Sequence, residues 1–304
     1  MHYPQWLKRH YLLFVTVGGL IGLMILAGWF LWPQPLGVLP PHVPVAVRRN
    51  IRYCSTNSPY QSFDMYRPTT TETSRVLPVV VYVHGGGWQS GSKQNTLIAH
   101  YATLFASHNV ATISVAYRLR TPNPYPDQDD DIACALQYVE QHAAGLRVNP
   151  DKMVFFGDSA GGDLAAFAAL NIPYKQYDYD APRGVIDFYG VSDFSKIIGG
   201  SRPDVNARRY LGSRYNQVAS AASPTSYVSR KAPRFLLVHG TKDTIVPIAQ
   251  SQEFYHRLKG EGIDADYVAV PGAGHGFVGP ELGNKDSQMI QNAVTSFLHE
   301  TIGS

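Results

Sequence analysis

Cysteine is scarce in this 304-residue chain, which contains only Cys54 and Cys134. No Cys-x-x-Cys or His-Glu-x-x-His pattern is present, so the sequence predicts no bound metal and no cofactor. Cys134 lies in a segment with helical periodicity, where a small buried thiol is the default interpretation. A disulfide with Cys54 is the alternative, and it requires a compartment outside the cytoplasm.

Charge is also sparse, because charged residues make up 16% of the chain and the formal net charge is +3. Lysines and arginines are scattered, and we interpret the stretch 196–214 as a solvated surface segment. We therefore expect no nucleic-acid partner. Internal repeats and low-complexity segments are absent too, which argues against a repeat architecture.

One long apolar run is present, since residues 11–32 contain no charged side chain. A helix of this length, with a rise of about 1.5 Å per residue, spans a hydrocarbon core about 30 Å thick. Tyr11, Trp29 and Trp32 stand near its ends, where amphipathic rings prefer the membrane interface, and Pro33 ends the helix. The run predicts a single transmembrane anchor.

The flanks of this run predict its orientation. Lys8 and Arg9 precede it, which assigns residues 1–10 to the cytoplasm and the remainder to the periplasm or the extracellular space. A cleaved signal peptide, giving a secreted protein, is the alternative. It is disfavoured because its apolar region would be unusually long and no clear small-x-small cleavage site precedes the prolines. Residues 33–46 are predicted to form a stiff proline-rich linker to a folded domain at 47–304.

The rest of the chain alternates strand patterns with helical periodicity, which predicts an α/β domain with a mostly parallel sheet and helices on both faces. The run Leu77–Val83 is apolar on both faces, as a buried parallel strand requires. The segment 192–231 lacks clear periodicity and is predicted to be a lid or an irregular insertion. Further strands are predicted at Val47–Tyr53, Ser62–Tyr66, Ala111–Tyr117, Met153–Phe156, Gly184–Tyr189, Phe235–His239 and Ala265–Val270, and helices at Leu97–Ser107, Asp127–His142, Asp163–Leu170, Ile248–Lys259 and Ser287–Thr301.

The segment Gly157-Asp158-Ser159-Ala160-Gly161-Gly162 stands between an apolar strand pattern and an alanine-rich helical pattern. Strand, Gly-x-Ser-x-Gly and helix form the context of a nucleophile elbow, a tight turn that needs small residues two before and two after the serine. The turn presents the serine oxygen at a helix N-terminus, whose N–H groups favour developing negative charge. Ser159 is therefore the predicted nucleophile, and an ordinary glycine-rich turn is the alternative.

A serine hydroxyl needs a general base, and the base needs an orienting acid. In this topology the chain order is serine, then aspartate or glutamate, then histidine. Asp243 follows the strand pattern Phe235–His239, and His275 lies in the glycine-rich loop after the last strand. These two residues are the predicted acid and base. Asp187 and Asp193, near the end of the preceding strand, are the rival acids.

A tetrahedral intermediate also needs N–H donors for its oxyanion. The backbone N–H of Ala160 directly follows the nucleophile, and a His-Gly-Gly-Gly-Trp run directly follows a predicted strand. Consecutive glycines let bare backbone amides approach a substrate, so Gly86 and Gly87 are the other predicted donors. We expect His84 to stabilise this loop by hydrogen bonding, and Trp88 either to line the substrate pocket or to serve in packing.

Four motifs in this order resemble those of α/β-hydrolase carboxylesterases, particularly the hormone-sensitive-lipase-like and bacterial feruloyl-esterase-like groups. They are His84-Gly85-Gly86-Gly87-Trp88, Gly157-Asp158-Ser159-Ala160-Gly161-Gly162, His239-Gly240-x-x-Asp243 and Gly274-His275-Gly276-Phe277. The resemblance covers about residues 47–302 and implies that Arg118 is a structural ion-pair partner. Two departures favour the feruloyl-esterase-like branch: the acid stands in His-Gly-Thr-Lys-Asp-Thr-Ile-Val-Pro, and an anchor with a linker replaces the N-terminal cap helices.

The resemblance implies a serine carboxylic-ester hydrolase that acts on a small-molecule ester through an acyl-enzyme on Ser159. An amide-cleaving relative, such as a formamidase or a peptidase, and an acyltransferase are alternatives with the same triad. A non-catalytic binding module is a more remote alternative. Acyl and alcohol specificity depend on pocket shape, which these motifs do not encode, and the motifs carry no signal for oligomeric state.

Overall fold

The computed structural model describes residues 43–304, except 55–57, 70, 71, 73, 120, 123, 171–176, 198–201 and 278–283. The predicted transmembrane segment and most of the predicted linker lie outside the described residues. Within the described ranges, no helix combines the length and the apolar character needed to cross a membrane.

The described part of the chain contains one 8-stranded sheet. Its strands are β1 (Val45–Arg52), β2 (Ser62–Pro68), β3 (Leu77–Val83), β4 (Ala111–Val115), β5 (Val148–Asp158), β6 (Gly184–Phe188), β7 (Arg234–Gly240) and β8 (Ala265–Val270). The order is β1-β2-β4-β3-β5-β6-β7-β8. Pairing is antiparallel between β1 and β2 and between β2 and β4, and it is parallel between all other neighbours. The prediction of a mostly parallel sheet is confirmed.

Helices follow most of the strands. They are α1 (Thr96–Ser107), α2 (Pro124–Gln141), α3 (Ala143–Leu146), α4 (Ala160–Leu170), α5 (Arg202–Leu211), α6 (Tyr215–Ala222), α7 (Ala249–Gly260) and α8 (Asn284–Ile302). Short 3₁₀ turns lie at Phe194–Lys196, Gly212–Arg214 and Pro224–Tyr227. The first helix begins where the Asn95 side chain accepts a hydrogen bond from the backbone N–H of Ile98 at 3.0 Å, which satisfies one of the N–H groups that a helix start leaves unpaired.

The two helical layers explain why the central strands are apolar on both faces. Val79, Val81 and Val83 of β3 belong to one hydrophobic cluster, whereas Val80 and Tyr82 belong to the other. The first cluster contains side chains of α2, α4 and α7, and the second contains side chains of α1 and α8. Successive strand residues face opposite sides, so a strand between two layers needs apolar residues throughout. The predicted helices on both faces are confirmed.

Two predicted segments differ in the structure. β1 begins at Val45, where it pairs with Pro68, so the last two residues of the predicted linker belong to the sheet. The segment 192–231 contains α5, α6 and three 3₁₀ turns, which corrects the expectation of an irregular insertion. Ala207, Tyr210 and Leu211 are buried at helical spacing, but α5 is too short for this pattern to stand out in the sequence.

The two cysteines are joined by a disulfide, with their Cα atoms 6.1 Å apart. Cys54 lies just after β1 and Cys134 lies in α2, 80 positions later in the sequence. This pairing corrects the default interpretation of Cys134 as a buried thiol. No sequence motif predicts this disulfide, because only the tertiary fold brings the two segments together.

Arg118 makes the ion pair that the family resemblance implies. Its Nε donates to both carboxylate oxygens of Asp131 at 2.9 Å, and its Nη2 lies 2.8 Å from Asp131 Oδ1. The backbone N–H of Arg118 also donates to Asp131 Oδ2 at 2.8 Å. This bidentate pair holds the loop after β4 against α2, which is a structural role.

Candidate active site

The predicted site residues all follow the C-terminal ends of parallel strands. Ser159 follows β5, Asp243 follows β7 and His275 follows β8, while the glycine run follows β3. Because parallel strands end at the same edge of a sheet, these four loops meet there. This is the edge at which open α/β sheets place their ligands.

The elbow at Ser159 has the backbone that the glycine pattern predicts. Ser159 has a φ of +53°, and its N–H donates to the carbonyl of Phe188 at 2.8 Å. A Cβ atom on Gly157 would lie 2.0 Å from the carbonyl oxygen of Gly161, and one on Gly161 would lie 2.1 Å from that of Val83. Only glycine fits at these two positions, and the tight fit holds the serine in a strained conformation that non-glycine residues rarely adopt.

The structure brings the predicted nucleophile, base and acid into one hydrogen-bonded chain. His275 Nε2 lies 2.9 Å from Ser159 Oγ, and His275 Nδ1 lies 2.7 Å from Asp243 Oδ2. When Nδ1–H donates to the carboxylate, Nε2 is left to accept the hydrogen of the serine hydroxyl. The arrangement can therefore deprotonate Ser159 as its oxygen attacks a carbonyl carbon. The catalytic roles themselves stay predictions.

Asp243 is held by donors on both carboxylate oxygens. The backbone N–H groups of Ile245 and Val246 donate to Oδ1 at 2.7 and 2.9 Å, and His275 donates to Oδ2. Burial alone would raise the pKa of Asp243, but hydrogen bonds from His239 and His275 hold that pKa well below its usual value. The acid is ionised and fixed in position, as an orienting group for imidazole must be.

His239 is a residue of the site that the sequence does not predict as one of its members. It is buried, and its Nε2 lies 3.2 Å from Asp243 Oδ2 and 3.0 Å from the carbonyl of Val246. Both neighbours are acceptors, so Nε2 carries hydrogen, and Nδ1 lies 2.7 Å from Ser251 Oγ. The spacing His239-Gly-x-x-Asp243 was the available signal, since it puts both side chains at the end of one strand.

The two rival acids make other contacts. Asp187 is buried, and its Oδ1 accepts a hydrogen bond from the backbone N–H of Gly190 at 2.9 Å. Asp193 Oδ1 accepts from the N–H of Ser195 at 3.0 Å, next to a 3₁₀ turn. In the part of the chain that the structure describes, neither carboxylate is hydrogen-bonded to His275, so the geometry favours Asp243.

The glycine run after β3 has the conformation of a loop that offers backbone amides. Gly86 and Gly87 have φ values of +125° and +59°, and no described residue accepts a hydrogen bond from the N–H of either. Ala160 is the first residue of α4, so its N–H has no acceptor inside the helix. These are the donors predicted for an oxyanion, and each has its N–H available in the structure.

A short network fixes this loop against the elbow. Asp158 Oδ1 accepts from the backbone N–H of Gly85 at 2.9 Å and from the hydroxyl of Tyr82 at 2.6 Å. The Tyr82 hydroxyl in turn accepts from Asn95 Nδ2 at 2.7 Å. Because Asp158 immediately precedes the nucleophile, the same carboxylate connects the serine turn and the glycine loop.

His84 supports the loop from inside the core, as expected. It is buried, its Nδ1 donates to the carbonyl of Gly85 at 2.8 Å, and its ring stacks on Tyr117 with centroids 4.4 Å apart. Burial lowers the pKa of His84 to about 4, against the opposing effect of its hydrogen bond to Gly85. A histidine that stays neutral and buried has a structural role here.

The contacts of Trp88 favour a packing role, the second of the two alternatives. Its side chain is only 2% exposed, its Nε1 donates to Asp163 Oδ2 at 3.0 Å, and its ring stacks on Tyr210 with centroids 4.8 Å apart. A side chain so buried offers no surface to a substrate in this structure. Trp88 instead joins the glycine loop to α5.

The insertion that contains α5 lies over the glycine loop. Asn206 Nδ2 stands 2.7 Å from the position that a Cβ on Gly87 would occupy. The polar side chain of Asn206 is half-buried beside a predicted oxyanion donor. No motif marks Asn206 in the sequence, because its place depends on how the insertion folds back.

No group of three or more histidine, cysteine, aspartate or glutamate side chains in the described ranges is arranged to hold a metal ion. The buried carboxylates near the loop have protein partners instead. Asp129 accepts from the Tyr210 hydroxyl at 2.6 Å, and Asp163 accepts from Trp88. Burial raises the pKa of Asp129 to about 7, although the Tyr210 hydrogen bond opposes this shift.

The sheet topology, the elbow and the serine–histidine–aspartate chain together define an α/β-hydrolase fold. The sequence profile of the BD-FAE family matches residues 63–258, which is more than half of the chain. The chain belongs to the BD-FAE family.

Comparisons with individual proteins agree with this assignment. The chain is 30% identical to esterase LipC of Mycobacterium tuberculosis (strain ATCC 25618 / H37Rv) over 268 residues, which cover 81% of this chain and 65% of LipC. It thus spans about two thirds of that relative's length. Esterase 2 of Thermogutta terrifontis, in a structure phosphonylated by sarin, superposes with a TM-score of 0.71 at 26% identity, covering 86% of this chain and 96% of that one. A truncated carbohydrate esterase from gut microbiota has a TM-score of 0.75 at 21% identity, covers 87% of this chain and 99% of that one, and shows the fold.

Proposed function

We propose that this protein is a serine carboxylic-ester hydrolase, anchored in a membrane by its N-terminal segment, with its α/β domain outside the cytoplasm. The observation that carries the catalytic part is the hydrogen-bonded chain from Ser159 through His275 to Asp243 at a strained elbow. Related proteins support the reaction class, since LipC and Thermogutta esterase 2 are both named esterases.

The first half-reaction forms the acyl-enzyme. Ser159 Oγ attacks the ester carbonyl carbon while His275 Nε2 takes the hydroxyl proton, and Asp243 stabilises the resulting imidazolium. The N–H groups of Gly86, Gly87 and Ala160 donate to the oxyanion of the tetrahedral intermediate. The intermediate then collapses, the carbon–oxygen bond to the alcohol breaks, and His275 returns the proton to the departing alkoxide.

The second half-reaction releases the acid. Water takes the place of the alcohol, loses a proton to His275 Nε2 and attacks the acyl carbonyl. The second tetrahedral intermediate uses the same N–H donors, and its collapse returns the proton to Ser159 Oγ. The carboxylic acid leaves and the enzyme returns to its starting state.

The proposed location rests on the sequence and on the disulfide. The uncharged run at 11–32 has the length of a membrane span, and Lys8 and Arg9 precede it. The Cys54–Cys134 disulfide supports a domain outside the cytoplasm, because disulfides persist mainly in oxidising compartments.

The function is tested by replacing the nucleophile. In detergent-purified full-length protein, we expect Ser159→Ala to lower kcat for p-nitrophenyl butyrate by roughly 10³-fold or more, because the acyl-enzyme cannot form. Ser296→Ala is the matched control, since Ser296 is exposed on α8. Undiminished turnover by Ser159→Ala would reject the proposal.

A further inference from the structure

A cavity of about 360 Å³ opens at the edge of the sheet opposite the candidate active site. Its lining includes Arg48 of β1, Arg67 and Thr69 at the end of β2, and Arg147 just before β5, and no carboxylate lines it. The cavity is therefore lined by three arginines and by no acidic residue.

The directions of the strands show at which edge of the sheet this cavity lies. Val45, the first residue of β1, pairs with Pro68, and Tyr66 pairs with Thr112 near the start of β4. Since β4 runs parallel to β3 and the later strands, the cavity lies at the edge where the parallel strands begin. Ser159 follows the opposite ends, about seven residues or roughly 23 Å along a strand.

The same edge receives the N-terminal linker. Thr69 donates its backbone N–H and its hydroxyl to the carbonyl of Pro44, both at 2.9 Å, so the incoming chain passes beside the cavity. Only twelve residues of chain, or thirteen Cα-to-Cα steps, separate Trp32, at the end of the predicted anchor, from Val45. At about 3.5 Å per residue, a fully extended tether of this length reaches at most roughly 45 Å.

Hydrogen bonds fix Arg67 in the wall of the cavity. Its Nη1 donates to the carbonyls of Leu146 and Arg147 at 3.1 and 2.9 Å, and its Nη2 donates to that of Arg75 at 2.8 Å. Its Nε–H makes no hydrogen bond to any described residue. In the described ranges, neither Arg67 nor Arg48 has an ion-pair partner. Burial lowers the pKa of Arg67, and the charges of Arg147 and Arg48 lower it further, as expected where positive charges stand close together.

We infer that this cavity binds the phosphate of an anionic phospholipid headgroup, with Arg48, Arg67 and Arg147 as its ligands. Guanidinium groups suit phosphate oxygens because they donate paired N–H groups in a fixed plane. The inference rests on the anchor in the proposed function, since the anchor supplies headgroups at high local concentration.

Hydrogen exchange of the full-length protein tests this inference. The protein is reconstituted in nanodiscs of phosphatidylcholine alone or of phosphatidylcholine with phosphatidylglycerol, and exchange is followed in peptides containing residues 45–48, 67–69 and 145–147. We expect exchange there to slow by roughly tenfold when the anionic lipid is present. The double variant Arg48→Gln/Arg147→Gln should lose this protection. Both residues are exposed, so we expect the variant to fold.

The control variant is Arg230→Gln/Arg257→Gln, which removes the same charge from exposed positions elsewhere and should keep the protection. Equal exchange in the two lipid mixtures, or protection that survives in Arg48→Gln/Arg147→Gln, would overturn the inference. Equal protection by inorganic phosphate in phosphatidylcholine nanodiscs would identify free phosphate as the ligand and overturn the lipid assignment. Failure to enter nanodiscs would reject the anchor together with this inference, whereas ester hydrolysis would remain a separate result.

Discussion

The two edges of the sheet use charge differently. At the active-site edge, Asp243 and Asp158 each accept hydrogen bonds from several protein donors. The opposite edge, where the parallel strands begin and the N-terminal linker enters, is called the linker edge. There, Arg48 and Arg67 have no carboxylate partner in the described part of the chain. The carboxylates at the active-site edge are thus held by protein donors, whereas we propose that the arginines at the linker edge also bind an external anion.

The largest expected effect comes from neutralising the acid at the active-site edge. Asp243→Asn preserves size but removes the charge that stabilises the His275 imidazolium, so we expect kcat to fall by roughly 10³- to 10⁴-fold. Steady-state kinetics on a p-nitrophenyl ester measures this. Asp187→Asn is the matched comparison and should retain most activity. Equal losses in both variants would contradict the assignment of Asp243.

The next largest effect is expected from a larger side chain at the elbow, because the turn has no room for it. Gly161→Ala puts a Cβ 2.1 Å from the carbonyl oxygen of Val83, so we expect a loss of several kcal/mol in the free energy of unfolding, measured by denaturant titration. In contrast, a Cβ on Gly260 meets nothing within 4 Å. Gly260→Ala lies in α7 and should be neutral or stabilising by about 0.5–1 kcal/mol. A tolerated Gly161→Ala would refute the tight packing of the serine turn.

Because His84 is buried in its neutral form at the active-site edge, we expect the protein to lose stability in acid. Its pKa is about 4 in the folded protein and 6.5 as a free side chain, so the unfolded chain binds more protons between these values. Stability contributed by neutral His84 is complete above pH 6.5 and falls by about 3 kcal/mol as the pH drops to 4. Thermal unfolding at pH 7 and 4.5 should therefore show a smaller acid-induced loss for His84→Gln than for wild type. Exposed His256→Gln should match wild type, and equal losses in all three proteins would remove His84 as the cause.

The smallest effect is expected at the linker edge. Arg48→Gln/Arg147→Gln changes the linker edge, far from Ser159, so we expect kcat for a soluble ester in detergent to stay within about twofold of wild type. A marked fall in kcat would show that the two edges are coupled. It would therefore contradict the expectation that the linker edge has no part in ester hydrolysis.

The parts of the site that could be predicted from sequence are those that depend on neighbours in the chain. The elbow and the glycine loop need small residues at fixed spacing after a strand, so the sequence pattern predicts both. Asp243 and His275 follow from strand order.

What could not be predicted depends on contacts between distant segments. Asn206 reaches Gly87 only because the insertion folds back, and Cys54 meets Cys134 only across the tertiary fold. His239 was visible in its motif, but its contact with Asp243 required the geometry of the loop after β7.

Peptide mass mapping after treatment with a fluorophosphonate probe tests whether Ser159 is the nucleophile. Full-length protein in detergent should gain one phosphonyl group, on the peptide that contains Ser159. Ser159→Ala should remain unlabelled under the same conditions. Labelling of another serine in wild type, or undiminished labelling of Ser159→Ala, would show that Ser159 is not the nucleophile.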